Sequence, residues 1–177
     1  MWVIRHHGLR SFFFIIRFVS WGLSLSLSSK PLLLSDKIVV TGAAGLVGQN
    51  LLLLLAEKGY SQVVALDCHA ANLAIAQRLN PAYQMVCVDL AEAGSWQTCF
   101  EGAKAVVQLH AQITGLYESD FERNNLTATR HVLAACQRYA VPYLIHSSSS
   151  VVHSVADDAY TRTKSAQETL VVESGLN

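Results

Sequence analysis

Lys37-Ile-Val-Val-Thr-Gly-Ala-Ala-Gly-Leu-Val-Gly-Gln-Asn50 is the stretch from which the rest of the chain can be laid out. Ile38 to Val40 is a short, β-branched apolar run, as expected of a strand buried on both faces. Gly42, Gly45 and Gly48 follow in a G-x-x-G-x-x-G spacing, and Leu51 to Ala56 reads as a helix ending near Gly59. A strand, a glycine turn and a helix N-terminus in that order make a phosphate site. Gly42 permits the sharp turn, Gly45 lets backbone N–H groups approach a pyrophosphate, and Gly48 lets helix and strand pack closely. Glycine triplets also mark plain loops. The flanking strand and helix favour a dinucleotide-binding turn over that reading.

The chain has 177 residues, 51% hydrophobic and 15% charged, with a formal net charge of zero. That length suits one domain with a real core. The charge balance offers no concentrated basic face, so nucleic acid is not an expected partner. Cys68, Cys87, Cys99 and Cys136 are scattered, without a C-x-x-C pair or ligand spacing. They read as buried free thiols, and no metal is expected.

Residues 1–35 differ from residues 36–177. They carry Arg5, Arg10, Arg17 and Lys30 and no acid before Asp36, with an apolar run at Phe12 to Ile16 that Arg17 interrupts. The run is short for a membrane span. Three readings stand: an extension ahead of a real start near Leu34, a targeting segment, or a membrane anchor. The first is adopted, which implies a cytoplasmic protein. A targeting segment would instead imply an organellar or exported one.

Downstream, Gln62 to Leu66 reads as a second buried strand ending at Asp67, 25 positions after Gly42. An acid there accepts from ribose hydroxyls and repels a 2′-phosphate, which favours NAD over NADP. The alternative is that Asp67 caps a helix beginning near Ala70. His69 reads as a loop residue. Ala71 to Leu79 is helical until Asn80-Pro81. Tyr83 to Val88 is a third strand ending in Asp89-Leu90, where the acid either reaches an adenine amino group or caps the next turn. Ala91 to Phe100 gives a short helix and Ala105 to Leu109 a fourth strand. His110-Ala111-Gln112 follows at its carboxyl end, where open α/β sheets bind ligands. Asp120 to Arg138 is the longest helical pattern, its apolar stripe made by Phe121, Leu126, Val132, Leu133, Cys136 and Tyr139. Tyr143 to His146 enters a fifth strand, Ser147 to Ser150 end it, and Tyr160 to Glu173 is a last helix. Five strands alternating with helices predict an α/β, doubly wound parallel Rossmann sheet in the order 3-2-1-4-5.

Tyr160 and Lys164, at i and i+4, share a helix face. A lysine ammonium near a phenol favours the phenolate and prepares it for acid–base work. A serine from the fifth strand could orient a substrate oxygen. A surface helix carrying Tyr and Lys by chance is the plain alternative. The register after a glycine turn and a serine-ended strand argues against it.

Together these features resemble the extended short-chain dehydrogenase/reductase family, in its NAD-dependent epimerase/dehydratase group. The likeness rests on Thr41 to Gly48, Val88 to Leu90, Val106 to Gln112, Asn125 to Thr129, the serine run and Tyr160/Lys164. It implies hydride transfer between NAD and a hydroxyl or ketone carbon of a sugar nucleotide or similar small molecule. By the same likeness Ser149, or next Ser148, orients the substrate oxygen, Tyr160 is the acid–base, and Lys164 holds the ribose and lowers the Tyr pKa. The resemblance gives the cofactor Gly42, Gly45, Leu46, Val47, Gly48, Asp67, Asp89, Leu90, His110, Ala111, Gln112 and Asn125, besides Tyr160 and Lys164. Asn125 would support a water relay to the lysine. A homodimer through helices 120–138 and 160–173 is also implied.

The departures are specific. His110-Ala111 stands where the family has Ala-Ala, and Val152-His153-Ser154 where it has V-Y-G. Ten residues separate Ser149 from Tyr160, a short loop for such enzymes. The family's later strands and substrate domain have no counterpart before Asn177. A truncated form is therefore expected, with a non-catalytic NAD-binding module or an inactive fragment as the alternative.

Overall fold

The computed structural model describes residues 31–177. Most of the 1–35 segment therefore lies outside the described residues. Five parallel strands form one sheet in the order β3-β2-β1-β4-β5. They are β1 (Lys37–Thr41), β2 (Val63–Asp67), β3 (Gln84–Cys87), β4 (Ala103–Gln108) and β5 (Tyr143–His146). The helices are α1 (Leu46–Glu57), α2 (Ala70–Leu79), α3 (Glu118–Phe121), α4 (Ala128–Arg138) and α5 (Ala159–Glu173). The expected class and strand order are both found.

Strand β1 is central and explains the apolar run that marked it. Ile38 and Val40 join a core with Leu52, Val63, Ala65 and Ala76 on the α1/α2 face. Val39 points the other way, into a core with Leu66, Phe100, Val106, Val132 and Cys136. Alternate residues are thus buried on opposite faces, as a strand covered by helices on both sides requires.

Three elements differ from the sequence reading. Helix α1 begins at Leu46, so Gly48 lies within its first turn. The stretch expected to be helical from Ala91 is a 3-10 helix confined to Ser95–Phe100. The long helix predicted over 120–138 is divided: a π-helical segment, Glu122–Thr127, separates α3 from α4. The wider turn shifts the buried register, so Asn125 is fully buried while Leu126 is only half-buried. A π-turn of this kind often accompanies a functional position.

The cysteines also depart from expectation. Only Cys136 is buried, its thiol pushed up to about 12 by burial, while Cys68 and Cys87 are exposed. Cys68 lies just past the end of β2, and Cys87 is the last residue of edge strand β3.

Candidate active site

The glycine turn is built against the end of β4. Gly42 has φ +69°, and a Cβ there would lie 2.5 Å from His110 N. A Cβ on Gly48 would lie 2.3 Å from Gly42 O, so the first turn of α1 packs directly on the loop backbone. Gly45 is different. It is exposed, and an added Cβ would meet nothing closer than Gly42 O at 3.3 Å. Gly45 is the N-cap of α1, which has no capping side chain and no acid in its first turn. Its leading N–H groups, at Leu46 and Val47, are the kind that a helix start leaves without intrahelical partners. An anion fits such a start, and the room at Gly45 is where a pyrophosphate would approach.

Asp67 is buried beneath this turn. One carboxylate oxygen accepts from Ala44 N at 2.9 Å and the other from His69 N at 3.0 Å. It does not cap α2, whose N-cap is His69 without a side-chain bond. Asp89 accepts from Ala91 N at 2.9 Å across the turn that follows β3. It also accepts from Arg123 at 2.7 Å. Burial alone would push its carboxyl up, but the bonds from Arg123 and Ala91 outweigh that and hold it below the usual carboxylate range. The Leu90 side chain is in the core, and its carbonyl accepts from His131 Nδ1 at 3.0 Å.

Past β4, His110 turns its ring inward. Nδ1 meets Thr41 Oγ1 at 2.9 Å and Nε2 meets Thr129 Oγ1 at 3.4 Å. Burial and the nearby Lys164 charge lower it to about 3, so the ring is neutral. Thr129 Oγ1 already accepts from Gln108 and Gln167, which leaves its own proton for His110 Nε2. The Nδ1–H tautomer follows, donating to Thr41. Gln112 is gripped through its backbone by Asn125, whose Oδ1 accepts from Gln112 N at 2.6 Å and whose Nδ2 donates to Gln112 O at 3.1 Å. Nδ2 also donates to Thr163 Oγ1 on α5 at 3.0 Å.

On α5, Lys164 is 2% exposed. Its ammonium donates to Ser147 O at 3.0 Å and to Gln167 Oε1 at 2.6 Å. Burial lowers it to about 8, against the opposing pull of Glu168. Gln167 Nε2 in turn donates to Asn125 O at 3.3 Å, so a side chain links Lys164 to Asn125. Tyr160, one turn earlier, is half-buried. Among the described residues, its hydroxyl bonds neither Lys164 nor Ser149. Ser149 caps the 3-10 helix Ser150–His153, its Oγ accepting from Val151 N at 3.4 Å and keeping its proton free to donate. Ser148 Oγ is buried without a partner.

The carboxyl ends of β1, β4 and β5 therefore carry the glycine turn, His110 and the serine run on one edge, with α5 supplying Tyr160 and Lys164. Sequence reasoning missed Gln108, Thr129, Thr163 and Gln167, all buried, as well as His146. The available signal was Gln167 itself, three residues after Lys164 and hence on its helix face. Among the described residues, no helix is long and apolar enough to cross a membrane.

A family model described as NAD dependent epimerase/dehydratase family matches residues 38–172. Human UDP-glucose 4-epimerase is 29% identical over 136 residues, covering 68% of this chain and 39% of that protein. The mouse protein is 31% identical over 135 residues, covering 67% and 39%. The chain thus spans about two fifths of the length of these curated relatives. Among solved structures, UDP-glucuronic acid 4-epimerase from Bacillus cereus in complex with NAD superposes with a TM-score of 0.68 at 26% identity. The match covers 78% of this chain and 52% of that one. MoeE5 in complex with UDP-glucose and NAD gives 0.65 at 26% identity, covering 78% and 49%.

Proposed function

The chain belongs to the NAD dependent epimerase/dehydratase family, and from that membership we propose that it binds NAD and carries the acid–base residues for hydride transfer on a sugar nucleotide. The observation that supports this best is the uncapped start of α1 at Gly45, roofed over buried Asp67. The similar Bacillus cereus epimerase was solved with NAD, and MoeE5 with UDP-glucose and NAD.

In this reading Gly42, Gly45 and Gly48 leave room for the pyrophosphate, and the Leu46 and Val47 N–H groups donate to it. Asp67 accepts from the ribose hydroxyls, and Asp89 and Leu90 border the adenine. The backbone of His110, Ala111 and Gln112, held by Asn125, lines the way to the reacting end. A bound nicotinamide supplies the hydride acceptor and donor. Ser149 donates to the substrate oxygen and Tyr160 exchanges its proton with that oxygen. Lys164, on the same helix face as Tyr160, is the residue that holds the ribose hydroxyls. Asp67 repels a 2′-phosphate, so NAD should bind roughly tenfold or more tightly than NADP. Pairing of two copies through residues 120–138 and 160–173 belongs to the same proposal.

A second reading, dinucleotide binding without turnover, is favoured by one feature. The Lys164 ammonium is already engaged by Ser147 O and Gln167.

Calorimetric titration of the full chain with NAD tests the cofactor claim, with Gly45→Trp and Tyr160→Phe beside it. The expected result is micromolar to sub-millimolar binding that the Trp abolishes and the Phe spares. A folded chain that takes up no NAD would end the proposal. Binding without nicotinamide reduction by any sugar nucleotide would select the second reading.

A further inference from the structure

The turn that closes β2 gathers a set of donors of which the family reading uses only Asp67. Asp67, Cys68 and His69 each offer one ligand atom, and the three atoms lie within 4.8 Å of one another. The Asp67 bond to His69 N folds these consecutive residues into one tight turn, which makes their side chains converge. Cys87 stands beside them. It pairs in register with Asp67 across β2 and β3, and its thiol lies 3.6 Å from Cys68 O.

We propose that Asp67, Cys68 and His69, with Cys87 as fourth donor, form a site for a thiophilic divalent cation of the zinc class. The donor set is of the mixed sulfur, nitrogen and oxygen kind that tetrahedral zinc takes. Ligand atoms around such an ion sit roughly 3.4–3.8 Å apart, given Zn–N near 2.0–2.1 Å and Zn–S near 2.3 Å. The three donors must therefore close by about 1 Å. Cys68, His69 and Cys87 are exposed, so changes of side-chain rotamer suffice. Asp67 retains lone pairs beyond the two that accept Ala44 N and His69 N. Binding releases the Cys68 and Cys87 thiol protons to solvent, and no electron transfer is involved. Asp67 is also the acid assigned above to the ribose. Cation and dinucleotide therefore exclude one another, a consequence that rests on the cofactor reading where the site itself does not.

Cobalt(II) titration of the reduced full chain is the test. The expected result is one equivalent bound, with a thiolate-to-cobalt charge-transfer band and tetrahedral d–d bands, all bleached by zinc. Cys68→Ser and Cys87→Ser should each remove about half of the charge-transfer intensity, and His69→Ala should weaken binding about tenfold or more. Cys136→Ser should change nothing, and circular dichroism should show every variant folded. No thiolate band at saturating cobalt overturns the site, and that includes binding through the histidines at positions 6 and 7 alone. A band at full intensity in Cys68→Ser overturns it equally, and one at full intensity in Cys87→Ser removes the fourth donor. Saturating NAD should weaken cobalt binding. Cobalt affinity unchanged by bound NAD overturns the exclusion, whereas failure of NAD to bind at all overturns only the cofactor reading.

Discussion

Asn125 holds Gln112 as a neighbouring strand would, taking its N–H and giving to its carbonyl with the two ends of one carboxamide. The same side chain reaches Thr163 on α5, so a single buried residue joins the end of β4 to the helix of Tyr160 and Lys164. Its place in the π-helical segment is what turns it inward.

Asn125→Ala should therefore cost about 3 kcal/mol, because the part-buried Gln112 N–H and carbonyl and the buried Thr163 hydroxyl each lose a partner. Urea denaturation measures it. Asn124→Ala, which loses a partly buried bond to the Gln112 side chain and an exposed one from Arg123, should cost well under half as much. Equal losses would show that the clamp contributes nothing of its own.

Gly48 and Gly45 should separate stability from binding. Gly48→Ala drives a Cβ to 2.3 Å from Gly42 O and 2.6 Å from Ala43 Cα, backbone atoms that cannot swing aside. A loss of about 1–3 kcal/mol is expected, read as a fall in Tm. Gly45→Ala has only a 3.3 Å contact to accommodate, and its φ of −73° suits alanine. It should keep its Tm and instead weaken NAD in calorimetry.

Lys164 makes stability rise in alkali. Burial lowers it from 10.5 to about 8, so the folded chain sheds this proton before the unfolded chain does. The penalty for burying the charge is complete below pH 8 and is relieved between pH 8 and 10.5. From the shift, the relief is about 3 kcal/mol. Unfolding free energies of the wild type and Lys164→Met should draw apart in favour of the wild type by that amount across the window. A difference that stays constant with pH would contradict the burial argument.

His146 works in the opposite range. Burial, Lys164 and His110 lower it from 6.5 to about 3. The folded value lies below the unfolded one, so its contribution is whole above pH 6.5 and is lost as pH falls towards 3. Both ring nitrogens are buried without a partner. His146→Phe should raise stability at pH 7 by about 1 kcal/mol and flatten the acid decline between pH 6.5 and 4. An unchanged acid limb would assign that decline to other groups.

Ala140 closes α4 in a left-handed conformation, φ +50°. Val141 N donates to Cys136 O and Ala140 N to Gln137 O, the paired bonds of a helix end that normally holds glycine. Ala140→Gly should stabilise the fold by about 1 kcal/mol in thermal or urea melts.

The sheet was legible because β-branched runs and glycine turns are local signals, and the five strands were found in the expected order. The polar interior was not. The inner face of α5 is Thr163, Lys164 and Gln167, which leaves no apolar stripe for periodicity to detect. Leu126 was expected inside and Asn125 took the place, since nothing in the sequence announces the extra residue of a π-turn. Cys68 and Cys87 were expected to be buried on composition alone, and only the position of β3 at the sheet edge shows why they are exposed. Lys164 reaches the serine run at Ser147 O, but its spacing from Tyr160 said nothing of Gln167 holding the lysine.

Strand β1 meets one neighbour soon and the other late. Ile38 pairs with Val63, 25 residues on, and with Ala105, 67 residues on. During synthesis the β1–β2–β3 half can assemble while β4 is still inside the ribosome. One rim of this central apolar strand is then bare, a template for any passing chain. The β4 docking step closes that rim, and its long loop closure makes it the slow event. The same central placement that steadies the glycine turn therefore makes the newborn chain vulnerable to aggregation until about residue 108 has emerged.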